Sequence, residues 1–196
     1  PNMDLPAVME TLHDFIKEGK VLSLGASNWH YDRIVEANAY AKKHDLTPFC
    51  ASQVEWSMAK LADGTAGDKT QVVLTPEEYE AYGKSGLLLM AYTSQAHGLF
   101  SKAQAAGGYE ALAAVGKLGK YKDPANAHRV EAALTLCKRY GISPAALAVS
   151  YITSQTFPAV PILGCSRKEQ MEDSLSAVDF VLSPEDYALL LQEDGI

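Results

Sequence analysis

Four short apolar runs, at residues 21–26, 49–54, 87–91 and 159–163, alternate along this chain with longer segments whose apolar residues recur every three or four positions. A continuous apolar run bounded by polar residues suits a strand buried on both faces, and the longer period suits a helix with one buried side. The runs begin near residues 21, 49, 87 and 160, so 28, 38 and 73 residues separate successive starts. Each gap is long enough for a helix and the right-handed crossover that joins parallel neighbours. The chain therefore reads as α/β, with four parallel strands and covering helices.

Leu5, Val8, Met9, Leu12, Phe15 and Ile16 recur at helical spacing, with Asp4 placed as an N-cap and Gly19 as a C-cap. Ile34, Val35 and Ala41 mark a second helix. Thr75-Pro76-Glu77-Glu78 has the hydroxyl, first-turn proline and third-position glutamate of a capping box, and opens a helix to about residue 83. Residues 93–126 read as a long, partly helical excursion, patchily patterned over 109–118. Helices follow at about 125–140 and, behind Ser143-Pro144, at 144–155; two more run from 167 to about 178 and from Ser183-Pro184-Glu185-Asp186 onward. This periodicity fits an open doubly wound sheet and part of a closed β/α barrel equally well. In both, ligands meet the carboxyl ends of the strands.

Composition narrows the partners. The chain has 196 residues, 47% of them hydrophobic, enough for one domain core. Its 17 basic against 24 acidic side chains leave a net charge of −7, so nucleic acid and anionic membrane surfaces are not expected partners. The longest apolar run, 87–92, is far short of the roughly 20 residues a membrane span needs. Cys50, Cys137 and Cys165 form no C-x-x-C pair, which argues against a disulfide framework or a metal knuckle. With no apolar leader behind Pro1-Asn2-Met3-Asp4, a cytoplasmic location is expected.

The strand-to-helix junctions read Gly25-Ala26-Ser27-Asn28-Trp29, Gln53-Val54-Glu55-Trp56-Ser57, Ala91-Tyr92-Thr93-Ser94-Gln95 and Pro161-Ile162-Leu163-Gly164-Cys165-Ser166-Arg167. In this order they resemble the C-terminal half of the aldo-keto reductases. The likeness continues through Gly98-Leu99-Phe100, Ser166-Arg167-Lys168-Glu169-Gln170, Lys17, Gly19 and Lys20 before the first strand, and Leu182-Ser183-Pro184-Glu185, so it covers nearly the whole chain. It implies a single domain, residues 1–196: the C-terminal half of a TIM (β/α)8 barrel, from an oxidoreductase that reduces aldehydes or ketones with NADP(H).

Residue by residue, the resemblance implies that Ser27 and Asn28 hold the nicotinamide carboxamide, assisted by Gln53, while Tyr92 lies flat against the ring. An amide substituent offers one donor group and one acceptor, and Ser, Asn and Gln can meet both. Thr93, Ser94, Gln95, Gly98 and Leu99 would line the pyrophosphate, with Ser94 and Gln95 standing where the family commonly has proline and leucine. Past Gly164, Ser166 and Glu169 form a second capping-box pattern whose helix start suits an anion. Arg167 there would pair with the 2′-phosphate, and Gln170, Asp173 and Ser174 would meet adenine and ribose, Ser174 standing where asparagine is frequent. Without the resemblance the same residues read as a helix cap, a core tyrosine and a surface arginine. His97 falls in the cofactor loop, whereas His13, His30, His44 and His128 read as surface residues with no metal spacing. Trp29 and Trp56 either wall a substrate cavity or pack, and Cys165 sits near a helix start.

The family's Asp, Tyr, Lys and His, which protonate the carbonyl, belong to the first four strands. Pro1-Asn2-Met3-Asp4 resembles the loop beyond that histidine, so no catalytic residue is assigned here. The expected partners are a small carbonyl substrate and the N-terminal half of the barrel, from the same parent chain or a separate polypeptide. A non-catalytic nucleotide-binding or regulatory half barrel, and an independent flavodoxin-like phosphate binder, are the alternative readings.

Overall fold

The computed structural model describes residues 3–65 and 67–191; Pro1 and Asn2 of the opening segment lie outside these. Helix α1, Leu5–Lys17, ends where Gly19 turns left-handed (φ 69°) and the Lys20 N–H closes on the Phe15 carbonyl at 2.9 Å. Asp4 takes the N-cap position but makes no side-chain cap bond. Strand β1 is Leu24–Ser27, three residues later than the apolar pattern suggested. Its neighbour β2, Phe49–Glu55, first pairs at Leu24, so Val21 and Leu22 have no strand to meet; Leu22 is 96% exposed. Between them runs α2, Tyr31–Lys43.

The chain then leaves β2 and comes back. Val73 bridges Glu55 in parallel, with the Glu55 N–H on the Val72 carbonyl at 2.9 Å and the Leu74 N–H on the Glu55 carbonyl at 3.0 Å. Helix α3, Pro76–Ser85, opens with the expected capping box: Glu78 N–H donates to Thr75 Oγ1 at 3.2 Å and the Glu78 carboxylate accepts from the Thr75 N–H. Strand β3 is Leu88–Tyr92. The excursion after it resolves into a left-handed turn at Ala96–Gly98, α4 at Leu99–Ala106 and α5 at Tyr109–Ala114. Helices α6, Ala125–Tyr140, and α7, Pro144–Thr153, follow as patterned, Ser143 capping Ala146 N–H at 3.0 Å. Strand β4 is only Ala159–Pro161, because proline has no N–H to continue the ladder, although Ile162 N–H still reaches the Ala91 carbonyl at 2.8 Å. The chain closes with α8, Lys168–Leu175, and α9, Pro184–Leu191, the latter capped by Ser183 on the Asp186 N–H at 3.2 Å.

The four strands lie in the order β1-β2-β3-β4, every pair parallel. This is the parallel α/β sheet the pattern predicts, and its unreversed order is that of consecutive strands in a β/α barrel. One core cluster, Met9, Leu24, Ala26, Ile34, Ala37, Ala41 and Phe49, joins α1, α2, β1 and the start of β2; a larger one gathers side chains from the end of β2 onward around Leu89, Phe100, Leu136, Leu147 and Tyr151. Helix α7 is buried along most of its length because α4, α6, α8 and β4 all touch it. Gly25 permits a close β1–β2 approach, since a Cβ there would sit 3.2 Å from the Ala51 carbonyl oxygen. Among the described residues the outer edges of β1 and β4 pair with no strand; in sequence, exposed apolar side chains precede β1 at Leu22 and follow β4 at Met171, Leu175, Val178 and Val181. No helix among the described residues is long and apolar enough to cross a membrane.

Candidate functional site

All four strands end on one side of the sheet, and the polar junction residues collect there. At the first two strand ends Ser27 faces Gln53 in register, and Asn28 N–H donates to the Gln53 carbonyl at 2.9 Å. Asn28 adopts φ 57°, a left-handed conformation that asparagine tolerates better than most residues, which turns the chain out of β1. Its side-chain oxygen accepts from the Tyr92 hydroxyl at 2.9 Å and from the Val72 N–H at 3.2 Å. Tyr92, opposite Glu55 across β2 and β3, is thereby fixed at its tip. Burial first, then the Glu55 charge, raise the Tyr92 phenol above its ordinary pKa. Glu55 is itself buried and ion-paired with Lys120.

Beside this group a cavity of about 800 Å³ opens between the segment after β3 and the start of α8. Thr93, Ser94, Gln95 and Gly98 line one wall; Gly164, Ser166, Arg167, Gln170, Asp173 and Ser174 line the other. These are the residues expected at the pyrophosphate and adenosine end. Ser27, Asn28, Gln53 and Tyr92 lie at the strand mouth, outside that lining, while the Leu99 side chain is 3% exposed and packs in the core. The two departures from the family pattern tie the walls together. Ser94, fully buried, donates to the Ile162 carbonyl at 2.8 Å, and Gln95 Nε2 donates to Ser174 Oγ at 2.9 Å and to the Ala145 carbonyl at 3.2 Å. Ser174 in turn donates to the Gln170 carbonyl at 2.6 Å, so its hydroxyl is already engaged.

The Ser166–Glu169 capping box does not form. Arg167 occupies the N-cap, and Gln170 Oε1 reaches back to take the Ser166 N–H at 3.0 Å and its hydroxyl at 3.2 Å. A side-chain amide one turn on competes better for Ser166 than the expected glutamate does. Arg167 remains exposed at the cavity wall.

Phe100, at the end of the 93–100 segment expected at the pyrophosphate, lines the cavity, whereas Ser101, Lys102, Pro144, Ala145 and Ile162 line it without having been assigned from the sequence. Lys102 carries the clearest signal in hindsight, a cation one helical turn beyond the Gly-containing loop, and its ammonium donates to the His97 carbonyl at 2.8 Å. His97 lines the cavity with its backbone left-handed (φ 50°), following Ala96 (φ 49°) and preceding Gly98 (φ 75°). Trp56 is core, stacked on Phe157 with Tyr79 edge-on and Tyr151 tilted against it, while Trp29 packs edge-on to Phe49 under the Arg33 guanidinium. Among the described residues no cluster of His, Cys, Asp and Glu could hold a metal ion.

Comparison with known proteins places this arrangement. The norsolorinic acid reductase of Emericella nidulans is 27% identical over 180 residues, which is 91% of this chain and 42% of that protein. A thermostable aldo-keto reductase crystallised with the inhibitor epalrestat superposes with a TM-score of 0.67 at 18% identity, covering 97% of this chain and 55% of its own. An aldo/keto reductase from Klebsiella pneumoniae, solved with NADP and acetate, gives 0.65 at 20% identity, again over 55% of its chain. The chain thus spans about half the length of the proteins it matches. The profile of the aldo/keto reductase family matches residues 1–192, and the chain belongs to that family.

Proposed function

We propose that the protein is an NADP(H)-dependent oxidoreductase that interconverts small carbonyl compounds and alcohols, and that this chain supplies its cofactor-binding half. The observation that carries the reading is the hydrogen-bonded set of Ser27, Asn28, Gln53 and Tyr92 at the strand mouth, joined through the chain step from Tyr92 to Thr93 to the cavity lined by Gln95, Arg167 and Gln170. Its chemistry suits a dinucleotide: an aromatic plate and amide groups at one end, an exposed guanidinium at the other. When bound, NADPH supplies the hydride. Tyr92, pinned by Asn28, offers a fixed flat face for the ring, and Ser27, Asn28 and Gln53 offer amide and hydroxyl groups to its carboxamide. Arg167 offers a planar, doubly donating charge to a phosphate monoester, which favours NADP(H) over NAD(H).

None of these groups is assigned the task of giving the carbonyl oxygen a proton. In this reading the proton donors come from the remainder of the barrel, which pairs along the open edges of β1 and β4. A fluorescence titration tests the cofactor assignment: NADPH should bind more tightly than NADH, by about tenfold or more for one charge-assisted contact. Equal affinities would contradict the role given to Arg167, and absence of binding by either would contradict the reading as a whole.

A further inference from the structure

The Asn28 side chain has no choice about which of its ends it offers. Its Oδ1 accepts from the Val72 N–H at 3.2 Å and from the Tyr92 hydroxyl at 2.9 Å. An amide oxygen has two lone pairs, and these donors fill both. A main-chain N–H cannot accept, so turning the amide over would set two donors against each other. What is left for a ligand is the Nδ2 amino group, which meets no acceptor among the described residues.

Val72 is itself held from several directions. Its carbonyl takes the Glu55 N–H at 2.9 Å, and Leu74 N–H returns to the Glu55 carbonyl at 3.0 Å. The Glu55 carboxylate pairs with the Lys120 ammonium, while the Lys120 carbonyl accepts from Ala62 N–H at 3.0 Å and from the Thr65 hydroxyl at 3.2 Å. Val72 is 5% exposed. The connection between β2 and α3 therefore acts at this point as a short extra strand laid against the sheet mouth, with the Leu74 N–H on Glu55 and the Val72 N–H spent on Asn28.

We propose that Val72, through its main-chain N–H, is a positioning residue that makes Asn28 a hydrogen-bond donor only, so that the site accepts a nicotinamide carboxamide in one rotamer. The carboxamide oxygen then lies on Asn28 Nδ2, and its amino group is left for the Ser27 and Gln53 side of the mouth. Since Tyr92 is bound to the same oxygen, the plate under the ring and the rotamer of its substituent are set by one atom. The inference rests on the cofactor assignment above and adds what selects the carboxamide rotamer.

The test compares two ligands: NADP+, and adenosine 2′,5′-bisphosphate, which carries the phosphate end without a nicotinamide. Val72→Pro deletes the N–H, and Val72→Ala keeps it while removing most of the same side chain. Calorimetric titration should show NADP+ bound about tenfold more weakly by V72P than by V72A, the scale of one hydrogen bond, with the bisphosphate bound equally by both. Parallel loss of both ligands, or no difference between the two variants, overturns the proposal. If V72P does not fold, Asn28→Asp decides the matter, because its carboxylate accepts both internal bonds but turns an oxygen toward the ligand. NADP+ affinity should then fall about tenfold or more with the bisphosphate unaffected; undiminished NADP+ binding overturns the proposal. Wild-type protein that binds neither ligand overturns the cofactor assignment, and the proposal with it.

Discussion

At the strand mouth, Asn28, Tyr92, Val72, Glu55 and Lys120 are joined by hydrogen bonds and an ion pair that run from one partly or fully buried group to the next. In the cavity a few residues away, Arg167 and Lys102 are exposed, and the walls are held by Ser94 and Gln95 reaching across to β4, α7 and α8. The first region has its donors and acceptors assigned before any ligand arrives, which suits orienting a ring. The second keeps an exposed, solvated charge, which suits capturing a phosphate. In the proposed function, orientation and capture are separate tasks that fall to these two regions.

The largest expected effect follows from the proposal that both regions only bind and orient. If both ends only bind and orient, this chain by itself should reduce no aldehyde or ketone above background, a deficit of about four powers of ten or more for want of a general acid and oxyanion stabilisation. Supplying the rest of the barrel should restore turnover of NADPH, followed at its absorbance band. An ordinary rate from the chain alone would erase the division of labour drawn above.

Next, Arg167→Ala should weaken NADPH by roughly 1–3 kcal/mol and leave NADH nearly untouched. Because this arginine is solvated, the NADPH advantage should shrink as salt rises, whereas the Asn28 contact should be salt-insensitive. The same salt slope for both cofactors would break the contrast between a captured phosphate and an oriented ring.

A smaller effect belongs to the walls. Ser94→Ala removes a buried bond to the Ile162 carbonyl and should cost about 1–2 kcal/mol of stability in urea unfolding, with cofactor affinity falling alongside. An unaltered midpoint would mean the cavity does not depend on that tie.

The smallest is a pH effect behind the mouth. Tyr82 donates to Ser52 Oγ at 2.6 Å, and burial pushes its phenol up to about 12. The unfolded chain ionises first, near pH 10, so the stability tied to neutral Tyr82 is complete below pH 10 and is lost as pH rises toward 12. Tyr82→Phe should flatten that alkaline slope; an unchanged slope would place the titration on the other buried tyrosines.

Much of this could be read in the residues. Thr75-Pro76-Glu77-Glu78 and Ser183-Pro184-Glu185-Asp186 cap as their chemistry dictates, because local hydrogen bonds have few rivals there. The strand-end residues were legible because polar groups at the end of an apolar run stand out. Val21 and Leu22 misled because apolarity marks a strand only where a neighbour exists to pair with it. Ser166 misled because Gln170 outcompetes Glu169 for it. The Val72 contact was invisible, since a main-chain N–H carries no residue-type signal and the connection around it has no period.

Ala96 and His97 stand left-handed in succession before Gly98, a run that L-residues resist by roughly 1–2 kcal/mol each. The bonds Ala96 N–H to Thr93 O, Gly98 N–H to Gln95 O and Lys102 to His97 O keep them there. Selection for thermal robustness alone would favour glycine at both positions, yet glycine would also let the loop sample many other shapes. Robustness and grip on a ligand therefore pull this turn in opposite directions, and a lineage that gains one by relaxing it should surrender part of the other.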